Sequence, residues 1–175
     1  MAMTNGRNPT PTGSLSATAD GRDLLLARTL DVPVEEVWAW LTEPDRTARW
    51  IGRWTGTPGV GRTVRFAMAF EEGDRPSDVT ITACEPPRHL AVELGAESGG
   101  WRLEVVVAEA GGGCTVTLVH HLDAAVDPGE VGPGWEYYLD NLLAAQAGRS
   151  PVEFGDYYPA QSGYYTDLAA KEPEV

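Results

Sequence analysis

Lysine is nearly missing from this chain: of thirteen basic residues only Lys171 is a lysine, and it lies in the C-terminal tail. Schiff-base or general-base lysine chemistry therefore has no candidate in the body of the sequence. Cysteine and histidine are scarce as well, limited to Cys84, Cys114, His89, His120 and His121. Neither the cysteines nor any acidic cluster shows metal-ligand spacing, and the adjacent His120 and His121 must point to opposite faces of a strand. No metal site is expected. Basic charge is short too, since 26 acidic against 13 basic residues leave a net charge of −13 that repels phosphate backbones and anionic headgroups. Nucleic acid is not an expected partner. The sequence also lacks an apolar run of membrane-span length, a signal-peptide-like start, a Gly-x-Ser-x-Gly elbow and a Gly-Lys-Ser/Thr loop. Gly59-Val60-Gly61 precedes a strand and not a helix, so no nucleotide cofactor is expected. These absences describe a cytoplasmic protein with no membrane span, metal or cofactor.

What is present is an ordinary globular balance, 42% hydrophobic and 22% charged over 175 residues. That suffices for one domain whose core needs no disulfide. Residues 1–20 mix Thr, Pro, Gly, Ser and Asn without apolar periodicity and read as a flexible arm. Leu24–Leu30 reads as a strand. After Pro33, the residues Val34, Val37, Trp38 and Leu41 recur at helical spacing, and a second helical turn runs from Pro44 to Trp50. Gly52, Gly56, Pro58, Gly59 and Gly61 then form a turn-rich connection.

From Val64 the period becomes two, with Val64, Phe66, Met68 and Phe70 on one face. Asp78–Cys84, His89–Leu94, Trp101–Ala108 and Cys114–Leu122 continue as antiparallel strands, separated by Glu72–Pro76, Pro86-Pro87 and Gly111-Gly112-Gly113. Trp135–Ala147 returns to helical spacing, with Trp135, Tyr138, Leu139, Leu142 and Leu143 on one face and Glu136, Asp140 and Asn141 facing away. The fold class is α+β: a strongly bent six-stranded antiparallel sheet wrapped around one long C-terminal helix, with two short helices after the first strand. Four of the six tyrosines fall in the extension 149–175. Such density predicts docking, either on the domain itself or across a homodimer contact.

Specific words in the sequence now match this element order. They are Arg28-Thr29-Leu30-Asp31-Val32-Pro33-Val34-Glu35-Glu36-Val37-Trp38, Leu41-Thr42-Glu43-Pro44, Trp50-Ile51-Gly52, the Pro86-Pro87-Arg88-His89-Leu90 turn, and Gly134-Trp135-Glu136-Tyr137-Tyr138-Leu139. Together they resemble the helix-grip superfamily of START-like, or SRPBCC, domains, and within it the family named for similarity to the activator of the Hsp90 ATPase. The resemblance covers about residues 23–148, within an expected domain of 21–148. It implies a helix-grip domain, and a superfamily of lipid and hormone carriers, polyketide cyclases and co-chaperones; the tyrosine-rich extension departs from the minimal domain.

A bent sheet gripping a helix can enclose a ligand between them. Residue parity nominates Phe66, Met68, Phe70, Val79, Ile81, Trp101, Leu103, Val105, Val116, Leu118 and His120 from the sheet, facing Trp135, Tyr138 and Leu142 from the helix. The leading expectation is a non-enzymatic carrier or sensor of a small hydrophobic or aromatic molecule; the same side chains packed into a closed core are the bland alternative. His120, as a general base, and Tyr138, as an orienting hydroxyl, are the candidates for a cyclase- or hydrolase-like enzyme. A co-chaperone or interaction module using the tail is the third possibility.

Overall fold

The computed structural model describes residues 8–70 and 75–171. Residues 1–7 of the predicted arm, 71–74 of the loop after Phe70 and 172–175 of the tail lie outside the described residues. The strands are β1 (Ser14–Ala17), β2 (Gly21–Leu30), β3 (Gly52–Thr55), β4 (Thr63–Met68), β5 (Ser77–Glu85), β6 (His89–Leu94), β7 (Arg102–Ala110) and β8 (Gly113–Asp123). The helices are α1 (Val34–Thr42), α2 (Pro44–Thr47), α3 (Gly132–Gln146) and α4 (Ser162–Ala170). All eight strands join one antiparallel sheet in the order β1-β2-β8-β7-β6-β5-β4-β3.

The sheet has eight strands, two more than the sequence pattern predicts. The extra ones, β1 and β3, are four residues each and form the two edges of the sheet. Four residues are too few for a period to register in the sequence, although Leu15 of β1 and Trp54 of β3 each turn one apolar side chain inward. The arm is therefore a strand from Ser14 to Ala17, paired with Leu25–Arg22 of β2. The glycine turn between β7 and β8 lies where the sequence places it, with Gly111 and Gly112 at φ of +56° and +89°, a left-handed region that side-chain-bearing residues avoid.

The sheet's inner face divides into two clusters. On the β2–β8 half, Leu24, Leu26, Val116, Leu118 and Leu122 pack against Leu139 and Leu142 of α3 and Val37 and Leu41 of α1. On the other half, Val64, Val79 and Ile81 form a separate nucleus with partly buried Phe66, Leu90, Val92 and Leu94. A register shift between Ile81 and Ala83 marks an irregularity in β5 on that half. Such irregularities bend a strand and increase its local twist.

The helix α3 corrects a second expectation. Glu136 and Asn141, placed by helical spacing on the solvent side, are each only 1% exposed. The reason is the tail, which covers that side: the Asn141 Oδ1 accepts the Val152 N–H at 2.9 Å, and the Tyr157 hydroxyl donates to the Asp140 carboxylate at 2.6 Å. Glu136 receives hydrogen bonds from the Tyr165 hydroxyl, the Thr12 and Gly13 amides and the Arg28 guanidinium, the last at 2.6 Å. Arg28 also donates to Asp140 at 2.8 Å. Burial alone raises a carboxyl's pKa, but the bonds from Tyr165, Thr12 and Arg28 hold Glu136 below its ordinary value, so the buried group is a carboxylate.

Tyr157 and Tyr165 are 2% and 0% exposed within the chain's own core. The tail therefore docks on its own domain. Tyr165 fits because Gly13 and Gly132 lie against it: a Cβ on either would come within 2.4 Å and 2.6 Å of the tyrosine side chain. Replacing Glu136 by Ala removes one of the two carboxylate partners of Arg28 and the acceptor shared by two amides and a tyrosine hydroxyl, and should lower unfolding free energy by about 3–5 kcal/mol in urea titration. Tyr165→Phe, which removes one donor, should lose about 1–3 kcal/mol in the same measurement.

Candidate functional site

Where α3 leaves the β3–β6 half of the sheet uncovered, a cavity of about 840 Å³ opens between them. That volume falls within the usual range for small-molecule pockets. Its floor follows from strand parity. Val64, Val79 and Leu94 are cross-strand partners, as are Ile81, Val92 and Leu103 in the next row. Phe66 and Met68 continue the same face of β4, Trp101 stands just before β7, and Trp135, Tyr137 and Tyr138 descend from α3. The α1–α2 region adds Trp38, Leu41, Trp50 and Ile51; the tail adds Phe154 and Tyr158. Pro58, Phe70, Glu130 and Phe154 are the exposed members of the wall and mark its mouth.

Several polar atoms of this wall are bonded to the protein and not offered to the space. Trp50 Nε1 donates to the Trp40 carbonyl at 2.8 Å, Trp54 Nε1 to the Thr42 carbonyl at 2.9 Å, and Trp135 Nε1 to His120 Nδ1 at 3.0 Å. The Thr42 and Thr47 hydroxyls donate to the Trp38 and Pro44 carbonyls. Indole faces and aliphatic groups are what remain, and apolar burial is the driving force such a wall offers.

Nine of the fourteen nominated residues line the cavity: Phe66, Met68, Phe70, Val79, Ile81, Trp101, Leu103, Trp135 and Tyr138. Val105, Val116, Leu118, His120 and Leu142 do not. The row Ile81–Val92–Leu103 continues across the sheet to His120 and then Leu24, but there α3 sits directly on the strands. Leu118 and Leu142 are core residues at 4% and 0% exposure, while Val105 is half-buried against the same core. Parity assigns a face; it does not say where along that face the helix stops. Parity also carries no information about α1, α2 and the tail, so their contributions escaped it. The one available signal was the aromatic count, since five of the six tryptophans line the cavity.

His120 is 1% exposed, accepts the Trp135 indole N–H, and packs against the rings of Trp101 and Trp135 at 4.6 and 6.0 Å. Burial, with a smaller contribution from neighbouring His121, lowers its pKa to about 4. It holds the Trp135 ring in place as a neutral acceptor instead of facing a ligand as a base. His121 lies on the outer face, as alternation requires, between Asp23 at 2.6 Å and Glu104 at 2.5 Å, with His89 on the other Glu104 oxygen at 2.8 Å. Burial works against its protonation, but hydrogen bonds to Asp23 and Glu104 raise its pKa. Among the described residues no group of three or more His, Cys, Asp and Glu is arranged to hold a metal ion. Among them, too, no helix is long and apolar enough to cross a membrane.

An antiparallel sheet gripping a long helix above an apolar cavity defines a START-like helix-grip domain. Residues 31–146 match the family model described as Activator of Hsp90 ATPase homolog 1-like protein, and the chain belongs to that family. It is similar to CalU16 from Micromonospora echinospora, whose crystal structure is 27% identical over 93% of this chain and 98% of that chain, with a TM-score of 0.73. A Bordetella parapertussis protein solved by NMR is 26% identical over 94% of this chain and 93% of that one, TM-score 0.65. DynU16, a protein in the dynemicin biosynthetic locus, shares the fold at 21% identity and a TM-score of 0.63, over 78% of this chain and 50% of its own. No curated protein matches the chain.

The two adjacent histidines pull stability in opposite directions with pH. His120, its pKa lowered on folding from 6.5 to about 4, contributes stability above about pH 6.5 that is lost towards pH 4, a change of about 3 kcal/mol. His121, its pKa raised on folding, contributes stability that is complete below its unfolded value and lost as pH rises through its folded one. Urea titrations between pH 4 and pH 7 should show the His120→Gln variant losing less stability on acidification than the parent chain; equal slopes would contradict the assignment.

Proposed function

We propose that this protein binds a small hydrophobic or aromatic molecule in the cavity between β3–β6 and α3, acting as a carrier or sensor without chemistry of its own. The observation that carries the reading is a space of about 840 Å³ walled largely by aromatic and aliphatic side chains, with the indole donors of Trp50, Trp54 and Trp135 already bonded to protein acceptors. A core packed shut would leave no such space, and an interior built for a polar ligand would leave donors aimed into it. Flat apolar molecules match the ring faces, because stacked and edge-on contacts with a ligand replace water there at little conformational cost.

The arrangement of catalytic candidates also supports this reading. His120 is committed to Trp135 behind the wall, and among the described residues lining the cavity there is no histidine. An acid–base pair needs both groups within reach of one bound atom. The interaction-module reading called for a free tyrosine-rich tail; here Tyr157 and Tyr165 are consumed by intramolecular packing.

Titration with flavonoids, aromatic polyketides or lipids should quench tryptophan fluorescence and raise Tm for at least one class. Unchanged fluorescence and Tm across all three would remove the proposal. Gly134 offers a sharper test: it lies on the wall, and a Cβ added there meets no heavy atom within 4 Å. Gly134→Trp should fill that open space and weaken binding at least about tenfold while Tm holds or rises, since replacing a helical glycine removes backbone entropy from the unfolded chain.

A further inference from the structure

We infer that the cavity selects its ligands by charge, preferring aromatic molecules that carry a protonated amine to those that carry a carboxylate or phosphate, with Glu130 at the mouth as the selecting group. This rests on the ligand-binding reading above. Among the described residues lining the cavity, Glu130 is the only Asp, Glu, Lys, Arg or His. It is exposed on the single turn Pro128–Glu130 that precedes α3. Its hydrogen-bond partner is the Tyr158 hydroxyl at 3.4 Å, a long contact, and among the described residues no cation pairs with it. No arginine is among the described residues lining the cavity. Arg28 binds Glu136 and Asp140 within the core, and Arg46 pairs with Glu36 and Glu43.

The N-terminus of α3 reaches the cavity through Gly134, and a helix end presents roughly half a positive charge that favours anions. The Glu130 carboxylate stands at the same end with a whole negative charge, so the sum at the mouth is negative. The aromatic rings beside it act in the same sense. Phe154 and Tyr158 are stacked with centroids 5.9 Å apart on the cavity wall. Aromatic faces attract cations and repel anions. An entering carboxylate or phosphate would meet a carboxylate, ring faces and no guanidinium, and would lose its water without gaining a partner. An entering amine keeps its charged end at the wet mouth beside Glu130 while its rings fill the apolar interior.

Three pyrenes that differ in one substituent separate this inference from the reading beneath it. 1-Pyrenemethylamine, 1-pyrenemethanol and 1-pyrenecarboxylate are titrated against the full chain by fluorescence anisotropy at neutral pH and about 0.15 M salt, where distant charges are screened. Exposed charge contacts change affinity by a few-fold in each direction, so the amine should bind about tenfold tighter than the carboxylate. In Glu130→Gln that ratio should fall at least about threefold. Because the readout is a ratio of Kd values, a loss of affinity common to all probes cancels. If pyrenemethanol binds while the carboxylate matches or exceeds the amine, the charge inference is wrong and the cavity reading stands. A ratio unmoved by Glu130→Gln assigns the preference to the overall charge of −13 and overturns the role of Glu130. Absence of binding by all three probes overturns both readings.

Discussion

The carboxylate of Glu136, at 1% exposure, is the constraint on which the rest of the structure depends. An unpaired buried carboxylate is among the most costly groups a fold can contain, so the surroundings of Glu136 are dictated by its needs. It is met from three directions: from the N-terminal arm by the amides of Thr12 and Gly13, from β2 by Arg28, and from the tail by Tyr165. Arg28 stands on the core strand β2, while the other donors belong to the arm and the tail that flank the domain in sequence. The ion pair thus converts an arm and a tail into parts of the domain, and it does so at the far side of α3 from the cavity.

That placement lets α3 be buried on both sides with different chemistry on each. Towards the β2–β8 half it presents Leu139 and Leu142 to a dry, close-packed core. Its first turns overhang the β3–β6 half, where Trp135, Tyr137 and Tyr138 meet open space instead of a strand. A helix held from behind can leave part of its front unfilled, because its position does not rely on packing there. His120 serves the same end. By accepting the Trp135 indole hydrogen it removes the polar atom of that ring from the cavity and fixes the orientation of the ring face that remains. The tail, drawn in by Tyr157 and Tyr165, returns to the cavity through Phe154 and Tyr158, so the network that secures the fold also completes the mouth.

Much of this was legible in the residue pattern. Period-two alternation placed Phe66, Met68, Ile81, Trp101 and Leu103 on the inner face, helical spacing placed Trp135 and Tyr138 opposite them, and all seven line the cavity. The alternation of His120 and His121 placed them on opposite faces, and the glycine run at 111–113 marked the β7–β8 turn. What was not legible had physical reasons. Edge strands β1 and β3 are only four residues long, too short for their one inward apolar side chain each, Leu15 and Trp54, to set a readable period. Glu136 looked like a solvent residue because a glutamate's burial depends on partners 108 and 124 positions away in Arg28 and Thr12.

The sequence by itself therefore determined the inner face of the strands and the front of α3, and hence that the cavity wall is aromatic and, Glu130 aside, uncharged. Side-chain direction is set by local backbone periodicity, and periodicity is a property of neighbours in the chain. Only the tertiary structure decided where that interior is filled and where it is open. The boundary depends on how far α3 extends over the sheet and on what clasps it from behind, and both are settled by Arg28, Glu136 and Tyr165, which meet only after the chain has folded.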